Sequence, residues 1–173
     1  MGQSGVLLDL LVLAAAYAAW LLPKWRRLGK RPLLVYTLMY GCLAGIVRFT
    51  LMPVLAALPY CFDHPYIPMH MAPFEDVILH HGDYVRQIVL NVILFVPFGV
   101  LQPLCDRCRG RRPRFWRCLL LTLALSAGIE AVQPLLHVFR RADITDVITN
   151  TIGGVFGYAL WALGNVCCKK RQG

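Results

Sequence analysis

Apolar residues fall into five blocks along the chain, separated by short polar connections. The blocks run over Val6–Leu22, Leu33–Met52, Gln87–Pro103, Cys118–Leu136 and Asp143–Gly164. Each is close to the roughly 20 residues that an α-helix needs to cross a bilayer core. At about 3.6 residues per turn, the fourth block gathers Thr122, Ser126, Glu130, Gln133 and His137 within an arc of about 80°. The rest of its surface is Leu, Ala, Ile and Val. The fifth block aligns Asp143, Asp146, Asn150, Gly154 and Gly157. The second aligns Thr37, Gly41, Gly45 and Arg48, and the third Gln87, Asn91, Phe98 and Gln102. Four helices that each carry one polar or small face predict a bundle with those faces turned inward. The first block carries only Asp9 and is predicted to sit at the periphery.

The expected fold class is therefore all-α, a multi-pass transmembrane helix bundle of about five helices. Residues 1–32 read as a peripheral first helix with its basic loop, 33–164 as the main bundle, and 165–173 as a basic tail. Gly41-x-x-x-Gly45 and Gly153-x-x-x-Gly157 allow two helix backbones to approach closely, within one chain or in a homo-oligomer. Pro97 is expected to kink the third helix near mid-span. Pro134 removes a donor from the fourth and frees the carbonyl of Glu130.

Composition excludes an ordinary soluble domain, since 58% of the residues are hydrophobic. The net charge of +9 would fit nucleic acid if it were spread over one face, but its distribution points elsewhere. The first connection holds Lys24, Arg26, Arg27, Lys30 and Arg31 and no acid. The third holds six arginines and one Asp, and the tail adds Lys169, Lys170 and Arg171. The second connection holds Asp63, Glu75, Asp76 and Asp83 against Arg86. The positive-inside rule then predicts an extracytoplasmic N-terminus and a cytoplasmic C-terminus in a cell membrane. The arginines serve topology and anionic lipid, and no nucleic-acid partner is expected. The first block has no leading Lys or Arg, so it reads as a retained helix rather than a cleaved signal.

That topology sorts the remaining chemistry. Cys61 alone falls clearly outside, so no intrachain disulfide is expected there. Cys105, Cys108, Cys167 and Cys168 share the cytoplasmic face and could offer four thiolates to zinc. The two pairs sit on different helix ends, and reduced free thiols are the expectation, with no metal and no cofactor. The histidines, His64, His70, His80, His81 and His137, lie outside. They lack a helical two-histidine spacing among the first four and read as loop residues.

Depth sharpens the picture. At about 1.5 Å per residue, Arg48, Asn91, Glu130, Asp146 and Asn150 lie within roughly 5–12 Å of the outer ends of their helices. Ionisable groups at that depth are costly and are kept for a purpose. Together with Gln133, Arg141 and Asp143 they predict one outward-opening polar pocket. Three functions suit it. As a binding site, its arginines would take phosphate or carboxylate, and its carboxylates and amides would orient sugar hydroxyls. As an enzyme site acting on a membrane lipid, paired carboxylates would supply acid–base chemistry. As a structural network, the polar residues would hold the helices in register.

Three strings then carry a family resemblance: Asn91-Val-Ile-Leu-Phe-Val-Pro-Phe-Gly99, Ser126-x-x-x-Glu130-x-x-Gln133, and Arg141-x-Asp143-Ile-x-Asp146-Val-x-x-Asn150-Thr-Ile-Gly153-Gly154. With Met71-Ala72-Pro73-Phe74, they resemble the VanZ-like family over roughly residues 33–163. His70 stands where that family commonly has Asn. The resemblance implies a bacterial multi-pass membrane protein acting at the cell envelope. Its namesake confers low-level resistance to teicoplanin, a lipid-tailed glycopeptide. The ligands expected of the outward polar pocket are a lipid headgroup, a cell-wall precursor or a lipoglycopeptide.

Overall fold

The computed structural model describes residues 2–61, 63, 65–80, 82–136 and 141–170. Five helices are long and apolar enough to cross a membrane: Gln3–Arg26, Lys30–Thr50, Tyr84–Cys108, Phe115–Leu136 and Ile144–Cys167. No described residue belongs to a strand ladder. The first span is α1 (Gly2–Ala16), continuing through a π-helical turn at Tyr17–Leu21 into α2 (Leu22–Arg26). Then come α3 (Lys30–Thr50), the single turns α4 (Val54–Ala57) and α5 (Glu75–Ile78), and the long helices α6 (Tyr84–Cys108), α7 (Phe115–Leu136) and α8 (Ile144–Lys170). Continuous helices satisfy most backbone N–H and C=O groups within one segment, leaving those at the helix ends and opposite prolines, as a hydrocarbon environment demands.

Local sequence sets several boundaries. Gly29, at φ 100°, precedes α3, and Pro32 falls in its first turn, where its missing donor costs nothing. Pro97 and Pro103 lie inside α6 without ending it. Gly110 ends it at φ 69°, with the Arg111 amide donating back to the Asp106 carbonyl at 2.9 Å. Asp143 caps α8, its Oδ1 accepting the Thr145 amide at 2.7 Å.

The closest packing joins α6 to α8. A methyl group on Gly153 would collide with the Val92 carbonyl oxygen, and one on Gly157 with the Val96 carbonyl oxygen. The Gly153-x-x-x-Gly157 pair is thus consumed inside the chain, against α6. The second small-residue pair is not, because nothing lies within 4 Å of a methyl group built on Gly41 or Gly45. A small core of Ile46, Phe95, Phe98 and Ile129 joins α3, α6 and α7, flanked by Met39, Cys42 and Leu43 of α3.

This arrangement corrects the expected orientation of α3. Its inward line is Met39, Cys42, Leu43, Ile46 and Thr50, not Thr37, Gly41, Gly45 and Arg48. Gly41 and Arg48 are exposed, and Thr37 instead bonds Tyr17 of the first span at 2.9 Å. The first span is peripheral as expected. Most of its leucines are exposed, as suits a surface covered by lipid rather than protein. Asp9 is its buried exception, 5% exposed. Its carboxylate accepts the amides of Val54 at 2.5 Å and Leu55 at 3.0 Å, capping α4 and tying α1 to the turn after α3.

At the arginine-rich end, side chains bind the helices to one another. Asp106 of α6 is 1% exposed. It accepts Gln102 at 2.8 Å and pairs with Arg117 of α7 at 3.4 Å. Arg107 donates to Asn165 of α8 at 2.7 Å and lies 4.9 Å from the centre of the Trp161 ring. These arginines, predicted to report topology, also join α6 to α7 and α8.

Candidate functional site

At the opposite end, the C-terminal ends of α3 and α7 meet the N-terminal ends of α6 and α8. A cavity of about 670 Å³ opens there. Its polar lining includes Asn91 and Gln87 of α6, Glu130 and Gln133 of α7, and Asp146 and Asn150 of α8. Phe49, Leu90 and Ile93 form an apolar lip and are all well exposed at their outer sides. Asp83 and Arg86 stand at the mouth, exposed and 3.9 Å apart, too open to water for a strong pair.

The helical phase of α7 explains why its polar residues converge. Thr122, Ser126, Glu130 and Gln133 recur at three- and four-residue spacing, and each is at most 3% exposed. Most are held by named partners. Thr122 donates to the Cys118 carbonyl at 2.8 Å. Gln133 donates to the Thr50 carbonyl of α3 at 3.2 Å. Ser126 accepts Asn150 Nδ2 at 2.9 Å. Glu130 Oε2 accepts the backbone amide of Asp143 at 3.1 Å, so a carboxylate on α7 fixes the approach to α8. Among the described residues Asn150 Oδ1 has no partner, although the residue is 2% exposed and lines the cavity. A buried acceptor left empty costs about 1–3 kcal/mol, so an incoming donor would recover part of that cost.

Asp146 organises the α6 side. Its Oδ1 accepts Asn91 Nδ2 at 2.7 Å, and both its oxygens lie 3.3 Å from Gln87 Nε2. Asn91 also reaches Thr149 Oγ1 at 3.4 Å. Asn91, Glu130, Gln133, Asp146 and Asn150 are thus brought to one cavity. Asp143 lines a small adjoining pocket, shared with Asp146, Gln87 and Thr145. Arg141 is exposed and lines neither. Arg48 stands apart, exposed and lining a different cleft with Gln3, Val6, Leu7, Leu10 and Pro53. The reason is geometric. Arg48 is half a turn from Thr50 and Ile46, the residues of α3 that face the bundle. His137 and Arg140 lie outside the described residues.

One residue read as an ordinary loop histidine holds the site's edge. His70 makes a two-bond parallel bridge across Asp143. Its amide donates to the Ala142 carbonyl at 2.8 Å, and its carbonyl accepts the Ile144 amide at 3.0 Å. Its ring lies between Glu75 at 2.5 Å and Asp143 at 3.8 Å. Four residues on, the Phe74 amide donates to Thr145 Oγ1 at 2.9 Å. The segment from His70 to Phe74 is therefore laced to the start of α8. The signal in the sequence was position: His70 directly precedes Met71-Ala72-Pro73-Phe74. Among the described residues the thiols supply no comparable cluster. Cys105 is buried, Cys108 half-buried and Cys167 exposed. Among the described residues no group of three ligand side chains is gathered for a metal ion.

Comparison with known proteins fits this geometry. The family model described as VanZ/LLP1 matches residues 42–165, which include every long helix around the cavity except the first part of α3. Protein VanZ of Enterococcus faecium is 33% identical over 111 residues, covering 64% of this chain. The chain spans 63% of that relative's length. No solved structure matches.

Proposed function

The chain belongs to the VanZ/LLP1 family, and from that premise we propose that it is a multi-pass cell-membrane protein that binds an amphiphile of the cell envelope. The observation that carries the reading is one cavity with two linings. Its floor is carboxylate and carboxamide, from Asn91, Glu130, Gln133, Asp146 and Asn150. Its lip is Phe49, Leu90 and Ile93. A polar head would meet hydrogen-bonding groups while its tail stayed against apolar surface. A lipid headgroup, a cell-wall precursor and a lipoglycopeptide such as teicoplanin all have that division. The orientation that suits the reading puts the N-terminus and the acidic 53–86 connection outside, with the arginines and C-terminus in the cytoplasm. The cavity then opens to the outer leaflet, and the effect on the cell is low-level glycopeptide resistance.

The test is direct titration of the full chain in lipid nanodiscs with teicoplanin and with a lipid-linked disaccharide precursor. Binding is expected to weaken about tenfold in Asn150→Leu, which removes a polar group at the floor. Absence of binding by either compound, or equal binding by wild type and Asn150→Leu, defeats the reading. A second reading, that the network only holds the helices together, is favoured by the bond from Glu130 to the Asp143 amide. It predicts that Asn150→Leu lowers folded protein without changing envelope phenotype per molecule.

A further inference from the structure

We propose that the cleft between α1 and α3 is a second, separate site, for an anionic phospholipid whose phosphate sits on Arg48. The cleft measures about 490 Å³. Val6, Leu7 and Leu10 of α1 form one wall, Pro53 closes one end, and Arg48 and Gln3 supply its polar groups. Arg48 is exposed, two residues from the end of α3, and its described contact is the ring of neighbouring Phe49 at 5.8 Å. Among the described residues it makes no ion pair. Asp9, the one acid of α1, is 5% exposed and occupied with the amides of Val54 and Leu55.

A guanidinium near a helix end can extend to the headgroup layer, where lipid supplies the anion that no described protein group provides. Its planar fork of donors matches a phosphate, and the Gln3 amide stands in the same cleft. The apolar wall gives the first methylenes of a tail a surface to follow, since Leu7 is 59% and Leu10 40% exposed. Among the described residues no acid lines the cleft, so none of them would hold the cationic group of a zwitterionic lipid. Charge therefore selects an anionic headgroup.

The experiment places the full chain in phosphatidylcholine nanodiscs containing phosphatidylglycerol and counts retained lipid by native mass spectrometry. Wild type is expected to retain phosphatidylglycerol in preference to phosphatidylcholine. Arg48→Gln should lower that retention about tenfold, the equivalent of one charge-assisted hydrogen-bonded pair. Leu7→Trp, which fills the cleft and keeps the cation, should lower it as much. Leu34→Trp, the same kind of change at a leucine that is 60% exposed near the far end of α3, should leave it unchanged. The proposal is overturned if Leu7→Trp keeps full retention, if both lipids are retained equally, or if excess inorganic phosphate displaces the lipid completely. A change of oligomeric state in Leu7→Trp with lipid retention intact would assign the cleft to a second copy and overturn it too.

Discussion

The α6–α8 pair and the α1–α3 pair contain the same ingredients and use them in opposite ways. Each has a Gly-x-x-x-Gly motif and polar residues near one end. In α6–α8 the glycines are pressed against carbonyl oxygens, and the polar side chains beside them are buried or half-buried and bonded across helices. In α3 the glycines face open space and Arg48 points away from the bundle. A motif permits close approach, but the partner surface determines whether it happens. The α6 backbone offers that surface through Gly99, and α1 does not.

The contrast can be broken most severely at the glycines. Gly157→Val should cost about 3 kcal/mol or more, because the colliding atoms are backbone and cannot move aside. Thermal unfolding in detergent and the yield of folded protein would measure it. Gly45→Val, the same change in the open motif, should stay within about 0.5 kcal/mol by the same assay. A similar loss in both would show that α3 meets another helix in the membrane. Next in size is Glu130→Ala, which leaves the Asp143 amide without this acceptor and opens a void. About 2–3 kcal/mol should be lost, and protease should cut more readily near residue 141. Asp9→Ala probes the weaker half by removing the α4 cap, for about 1 kcal/mol. Its expected signature is faster hydrogen exchange at Val54 and Leu55 with the α6–α8 amides unaffected. A smaller effect than that of Glu130→Ala is expected at Asn91→Ala. It removes the 2.7 Å bond to Asp146, and Gln87 still reaches that carboxylate, so less than about 1 kcal/mol should be lost.

The polar stripe on α7 was legible from sequence because contrast made it so. Thr122, Ser126, Glu130 and Gln133 stand out from Leu and Ala, and bilayer lipid forces such residues inward. The same rule misread α3. Its inward residues, Met39, Cys42 and Ile46, are as apolar as its lipid-facing ones, so no contrast marks the interface. A charge in a span suggests burial, yet Arg48 is exposed, because a charge near a helix end can reach the interface instead. The bonds that His70 and Asp9 make are not legible in the sequence, for another reason. Each acts on backbone amides or carbonyls far along the chain, His70 beside Asp143 and Asp9 at Val54, and no local spacing announces such a partner.

The sequence by itself determined five membrane-length helices, their approximate limits, the inward faces of α7 and α8, and the family. Those properties follow from hydropathy, helical period and short motifs, all of which are local. Only the tertiary structure decided which glycine pair is used, that Glu130 and His70 fix the start of α8, and that Arg48 belongs to a second cleft. These are pairings between segments tens of residues apart. They depend on how helix surfaces fit, and in lipid, where both sides of a helix can be equally apolar, composition carries no record of that fit.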